Sequence, residues 1–242
     1  MYYDSCFNKR DRLVLFCYIC WEICNLIAIQ YAFFFCSFQT RCLIMYLAVC
    51  VNTLVMLHFY YHYGRKQRKS RNNLLALGLA VTWAADFFLT LHNRILPGFF
   101  LFCLVESIYA LYLANLPLTR AKDPRRTLIG IGCLVLVCLM AFCAAGKMGL
   151  LTPEHALGIL NLTLLTFNLL RAWFACSRDR RPDRLLLALG FTFIAGCDYS
   201  ILVMFLSRGR VYDAAAFMIW IFYVPSQVFL VAAYALGCFS DI

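Results

Sequence analysis

The chain has 242 residues, of which 64% are hydrophobic and 14% charged, with a formal net charge of +10. A soluble domain of this size has no way to hide so much apolar surface, whereas lipid tolerates it. The basic residues stand in short clusters between apolar runs, a pattern of membrane orientation rather than of nucleic-acid binding, so no nucleic-acid partner is expected.

Eight spans follow in order, each near the roughly 20 residues that cross the hydrocarbon: 13–36, 43–63, 74–92, 95–116, 127–146, 155–177, 185–206 and 213–237. The expected fold is an all-α integral membrane protein forming one membrane domain over 1–242, with adjacent spans as antiparallel neighbours. The first run is long enough to span and lacks a small-residue cleavage site, so it is not read as a removable signal peptide.

Lys and Arg alternate between loops. The N-terminal tail carries Lys9, Arg10 and Arg12; the second loop Arg65, Lys66, Arg68, Lys69 and Arg71; the fourth Arg120, Lys122, Arg125 and Arg126; the sixth Arg178, Arg180, Arg181 and Arg184. These sixteen oppose five on the other side, Arg41, Arg94, Lys147, Arg208 and Arg210. Both termini are therefore expected in the cytoplasm. Arg171, near the end of span six, can snorkel to the interface.

Fourteen cysteines would be a disulfide framework in a small secreted protein. Here most lie inside apolar runs, where thiols behave as small hydrophobes. Cys17, Cys20 and Cys24 share a face of span one, but no histidine lies nearby and no second Cys-x-x-Cys follows to complete a metal site. His58 and His62 have metal-ligand spacing within an aromatic segment that reads better as an interface belt. No metal and no cofactor are expected.

One phrase occurs twice. Leu74-Leu75-Ala76-Leu77-Gly78 and Leu186-Leu187-Ala188-Leu189-Gly190 begin 112 residues apart, and each glycine is followed eight residues later by an aspartate, Asp86 and Asp198. Four spans separate the copies, so they run in the same direction, as in a parallel duplication of a four-helix unit. A carboxylate deep in an apolar run is costly and asks for a functional reason.

Glu22 and Glu106 are the other acids inside spans, and no Lys or Arg lies at comparable depth. Facing carboxyls can share one proton and so supply an acid and a base at neutral pH; the competing reading is interhelical hydrogen-bond glue. Tyr109 lies one turn beyond Glu106. Tyr223 and Gln227 share a face of span eight around Pro225, which frees a backbone carbonyl. Asn161 and Asn168 stack on one face of span six, and Glu22 and Asn25 on one face of span one; both pairs read as packing hydrogen bonds. Serine-hydrolase, zinc-hydrolase and nucleotide-binding signatures are absent, which leaves carboxylate acid–base chemistry as the best enzyme reading.

These motifs resemble those of the YhhN-like lysoplasmalogenases, a family of eight-span membrane proteins with two aspartate motifs. The first is similar to Leu77-Gly78-Leu79 through Ala85-Asp86-Phe87-Phe88-Leu89, continuing into Pro97-Gly98-Phe99 and Ser107-Ile108-Tyr109. The second is similar to Gly190-Phe191-Thr192-Phe193 with Cys197-Asp198. A last element resembles Phe222-Tyr223 with Ser226-Gln227. Ala85 replaces the family's glycine, Cys197 its serine and Glu106 its histidine; the last exchange alters the charge states open to a proton shuttle.

The resemblance implies hydrolysis of the vinyl ether bond of a lysoplasmalogen, a lysophospholipid, to a fatty aldehyde and a glycerophospho-base. It implies Asp86 and Asp198 as catalytic residues, with Glu106, Tyr109, Tyr223 and Gln227 supporting them or binding substrate. Which aspartate is the acid stays open, since a coupled pair titrates as a unit. Membrane lipids are the expected surroundings, in the plasma membrane if the source is bacterial. The rival readings are a proton-coupled transporter, against which stands the lack of a counterpart to Pro225 in span four, and a non-catalytic lipid-binding protein.

Overall fold

The computed structural model describes residues 9–64, 70–92, 94–116, 124–147, 149, 152–206 and 210–239. It contains eight helices: α1 (Lys9–Phe35), α2 (Phe38–Phe59), α3 (Ser70–Asp86), α4 (Ile95–Ala114), α5 (Pro124–Lys147), α6 (Pro153–Arg178), α7 (Pro182–Leu206) and α8 (Arg210–Phe239). No strand occurs among the described residues. Among the described residues seven helices are long and apolar enough to cross a membrane, and α5 carries a shorter apolar stretch, Val135–Ala144. The protein is an all-α, multi-span membrane protein. Of the basic residues used to orient it, Arg65, Lys66, Arg68, Lys69, Arg120, Lys122 and Arg208 lie outside the described residues.

Helix starts follow local chemistry. Ser37 caps α2 by accepting the Thr40 backbone N–H at 3.3 Å, and Thr152 caps α6 by accepting that of His155 at 3.4 Å, with Pro153 in the first turn. α3 begins at Ser70, four residues before the apolar run, because its first turn is polar and carries no hydropathic signal. Two π-helical turns were not expected from sequence: Tyr60–Gly64 extends α2, and Phe87–Leu91 extends α3 directly after Asp86. A π turn shifts the register of every later side chain and recurs at functional sites.

Neighbours in sequence pack together except at one place. Among the described residues α4 does not pack on α5; α6 takes that position against α4. The reason is polar: Asn168 of α6 bonds both the carboxylate and the backbone carbonyl of Glu106, at 2.7 and 2.8 Å. The expectation that all adjacent spans are neighbours is corrected here.

The repeated phrase has a packing role in each copy. A Cβ on Gly78 would lie 2.2 Å from Cε1 of Tyr109 on α4, and one on Gly190 would lie 2.7 Å from Cδ2 of Leu230 on α8. Each glycine thus lets the following helix approach closely.

The main apolar core joins Met56, Leu75, Leu79, Leu113, Leu165, Leu187, Phe191, Leu230 and Tyr234. Most of these lie toward the ends of the helices that meet the basic loops. Phe191 stands edge-on to Tyr109, 5.4 Å between centroids, and ties α7 to α4; such a pair contributes about 0.5–1.5 kcal/mol beyond burial. At the same end the Tyr63 hydroxyl donates to the buried Asp11, and His58 Nε2 lies 3.8 Å from the other Asp11 oxygen. Arg171 lies over the Phe167 ring, 5.3 Å from its centroid.

Candidate active site

Asp86 and Asp198 each come sixteen residues after the first residue of their helix, Ser70 and Pro182. At about 1.5 Å per residue that is about 24 Å from the basic-loop end. Both carboxyls lie deeper than the apolar runs alone imply, because both helices start earlier than those runs. The two carboxyls therefore lie past the apolar core, in the opposite half of the bundle.

Asp86 is buried and accepts the Tyr223 hydroxyl of α8. Asp198, half-buried, accepts the Asn161 amide of α6 at 2.6 Å. Glu106 of α4, also buried, accepts the Asn168 amide at 2.7 Å. Each acid is thus held by a neutral donor from another helix, and among the described residues none of the three forms an ion pair.

The three acids share one neighbourhood. Asp86 and Asp198 interact electrostatically, as do Glu106 and Asp198. Cys197 lies within electrostatic reach of both aspartates and packs with Tyr223 and Val49 of α2. Among the described residues α3 and α7 do not pack directly on each other; α8 lies against both, and Tyr223 carries the connection from Cys197 to Asp86.

Tyr109 is also within electrostatic reach of Asp86 and Glu106. Tyr109 is buried beneath Gly78, its hydroxyl beside Thr82, whose own hydroxyl donates to the Gly78 carbonyl at 2.9 Å. Gln227 is buried one turn after Tyr223 on α8. At Pro225 the lost backbone N–H leaves the Ile221 carbonyl without its helical partner, and Ser226 turns its hydroxyl onto the Tyr223 carbonyl at 2.6 Å. Glu22 lies away from the cluster on α1, beside Asn25 and Tyr18.

Two residues that the sequence suggested only as packing contacts, Asn161 and Asn168, turn out to hold acids. Their seven-residue spacing on one helix face was the available signal. The sequence could not say that one would meet α7 and the other α4. Among the described residues no group of three His, Cys, Asp or Glu side chains is arranged to hold a metal ion.

Such a cluster can hold a proton on one carboxyl while another stays ionised, the arrangement needed for paired acid and base steps. The sequence model of the YhhN family matches residues 36–234, from just before α2 to near the end of α8. No curated protein and no solved structure matches the chain. The family match covers most of the sequence, including every residue of the acid cluster, and the chain belongs to the YhhN family.

Proposed function

We propose that the protein is a membrane hydrolase that cleaves the vinyl ether bond of lysoplasmalogens, with Asp86 and Asp198 as the working carboxyl pair. One observation carries the reading: three intramembrane acids share a neighbourhood, and their bonded partners are neutral. Acids kept only for structural ion pairing would face Arg or Lys; acids kept for proton transfer need not.

The chemistry suits the set. The protonated carboxyl gives its proton to the outer alkene carbon, and the ether oxygen stabilises the resulting oxocarbenium ion. Water then adds to the carbon bound to that oxygen while the ionised carboxyl accepts its proton. The hemiacetal collapses, with the hydroxyl proton lost and the glycerol oxygen protonated as it leaves. One water is consumed, and the products are a fatty aldehyde and a glycerophospho-base. The ionised partner also stabilises the cation, as in glycoside hydrolysis. Tyr223 and Asn161 position the aspartates, and Glu106, within electrostatic reach of Asp198, is a third acid that can exchange protons with the pair.

The test is aldehyde release by the purified protein from a lysoplasmalogen, beside a saturated alkyl-ether lysolipid of the same chain length. The saturated lipid has no alkene to protonate and should remain intact. Cleavage of both at similar rates, or of neither, would overturn the reading.

A further inference from the structure

The bundle wall is thinnest at α5. Every other helix packs on at least two neighbours; among the described residues α5 packs on α6 alone. Its Val135, Leu136, Val137, Leu139 and Met140 are half or more exposed.

Between α5 and α6 runs a groove of about 210 Å³ lined by apolar surface, with Val135, Cys138 and Phe142 on one side and Leu160, Thr163 and Leu164 on the other. The one hydroxyl in this set is withdrawn, since Thr163 Oγ1 donates to the Ile159 carbonyl at 2.7 Å. A wholly apolar groove suits a hydrocarbon chain and offers nothing to a headgroup.

Its inner side lies toward the acid cluster. Cys103 of α4 is within electrostatic reach of Cys138 in the groove and of both Glu106 and Asp198. On α6, Leu164 lies three residues beyond Asn161, next to it on the helix surface, and Asn161 is the residue that holds Asp198.

Depth agrees as well. Counted from the end away from the basic loops, Cys138 stands nine residues before Lys147, and Leu160 and Thr163 stand seven and ten after Pro153. Asp198 stands eight before Leu206. All fall about 10–15 Å from that end. In a vinyl ether the chain begins at the reacting carbons, so it must leave the acids at their own depth.

We propose that the α5–α6 groove binds the aliphatic chain of a single-chain lipid, which enters sideways from the leaflet opposite the basic loops. The reaction at its inner end rests on the function proposed above; the chain site itself does not.

The experiment uses the full chain in nanodiscs and a single-chain alkyl-ether phospholipid with a photoreactive diazirine in mid-chain. Labelling should concentrate on residues 135–142 and 160–164. It should fall roughly tenfold in Cys138→Trp and in Leu164→Trp, which overfill the groove, and persist in Leu136→Trp as a control on the exposed side of α5. Labelling spread evenly over the outward faces of α1, α5 and α8, as by surrounding lipid only, would overturn the proposal, as would labelling indifferent to both groove tryptophans. If those two variants do not fold, the wild-type map decides alone. The two readings fail separately: no aldehyde release by the wild-type protein sinks the hydrolase but not the groove, and a labelling map that misses α5–α6 does the reverse.

Discussion

The Asn161 amide donates to Asp198 Oδ2 at 2.6 Å, joining α6 to α7 at the acid cluster. An amide can only offer N–H to that oxygen while the carboxyl keeps its other oxygen for chemistry, so Asn161 sets the direction of Asp198 without taking part in proton transfer. Asn161→Leu keeps the branched shape, at a larger volume, and removes the donor. It should lower kcat about 10- to 100-fold, with KM little changed. Equal loss in kcat and stability, with no effect specific to turnover, would argue for a packing role only.

Tyr223 does the corresponding work for Asp86 from α8. Tyr223→Phe should leave the helices in place and cost about 1–3 kcal/mol in stability, the range for a lost buried hydrogen bond. Activity should fall more than this stability loss accounts for. Thermal unfolding in detergent and aldehyde release on the same preparation separate the two effects.

The glycines of the repeated phrase make a prediction about folding alone. Gly78→Ala drives a methyl into the Tyr109 ring, and Gly190→Ala drives one into Leu230; each should destabilise by about 1–3 kcal/mol. Gly132→Ala, at an exposed position inside α5, meets nothing within 4 Å among the described residues and should be neutral or slightly stabilising, since alanine favours helix. The comparison is of Tm values among three single-methyl variants.

Glu106 tests the third acid. Glu106→Gln keeps an oxygen to accept the Asn168 amide but removes a titrating group, whereas Glu106→His restores one of another charge type. If Glu106 passes protons to or from Asp198, the pH–rate profile should change shape in both variants while Tm changes little. An unaltered profile in both would assign Glu106 to helix packing.

Much of this was legible in the sequence because lipid makes polar residues conspicuous. The apolar runs placed eight helices within a few residues, and Asp86 and Asp198 stood out through the cost of a carboxyl at that depth. Helix starts were less visible: Ser70 to Asn73 form the first turn of α3 without an apolar residue among them. The π turn after Asp86 was invisible, because Phe87 to Leu91 would read as ordinary helix. The partners of Asn161 and Asn168 depend on the order of helices around the bundle. That order departs from chain order where α6 displaces α5 from α4, and no residue pattern within one span announces it.

Asp86 and Asp198 acting as one unit is the central claim, and a double-mutant cycle on aldehyde release tests it most directly. Asp86→Asn and Asp198→Asn should each lower kcat by about 10²–10⁴-fold, and the double variant should be scarcely worse than either, because a coupled pair is disabled by losing one member. Undiminished activity in either single variant, or losses that multiply in the double, would contradict it.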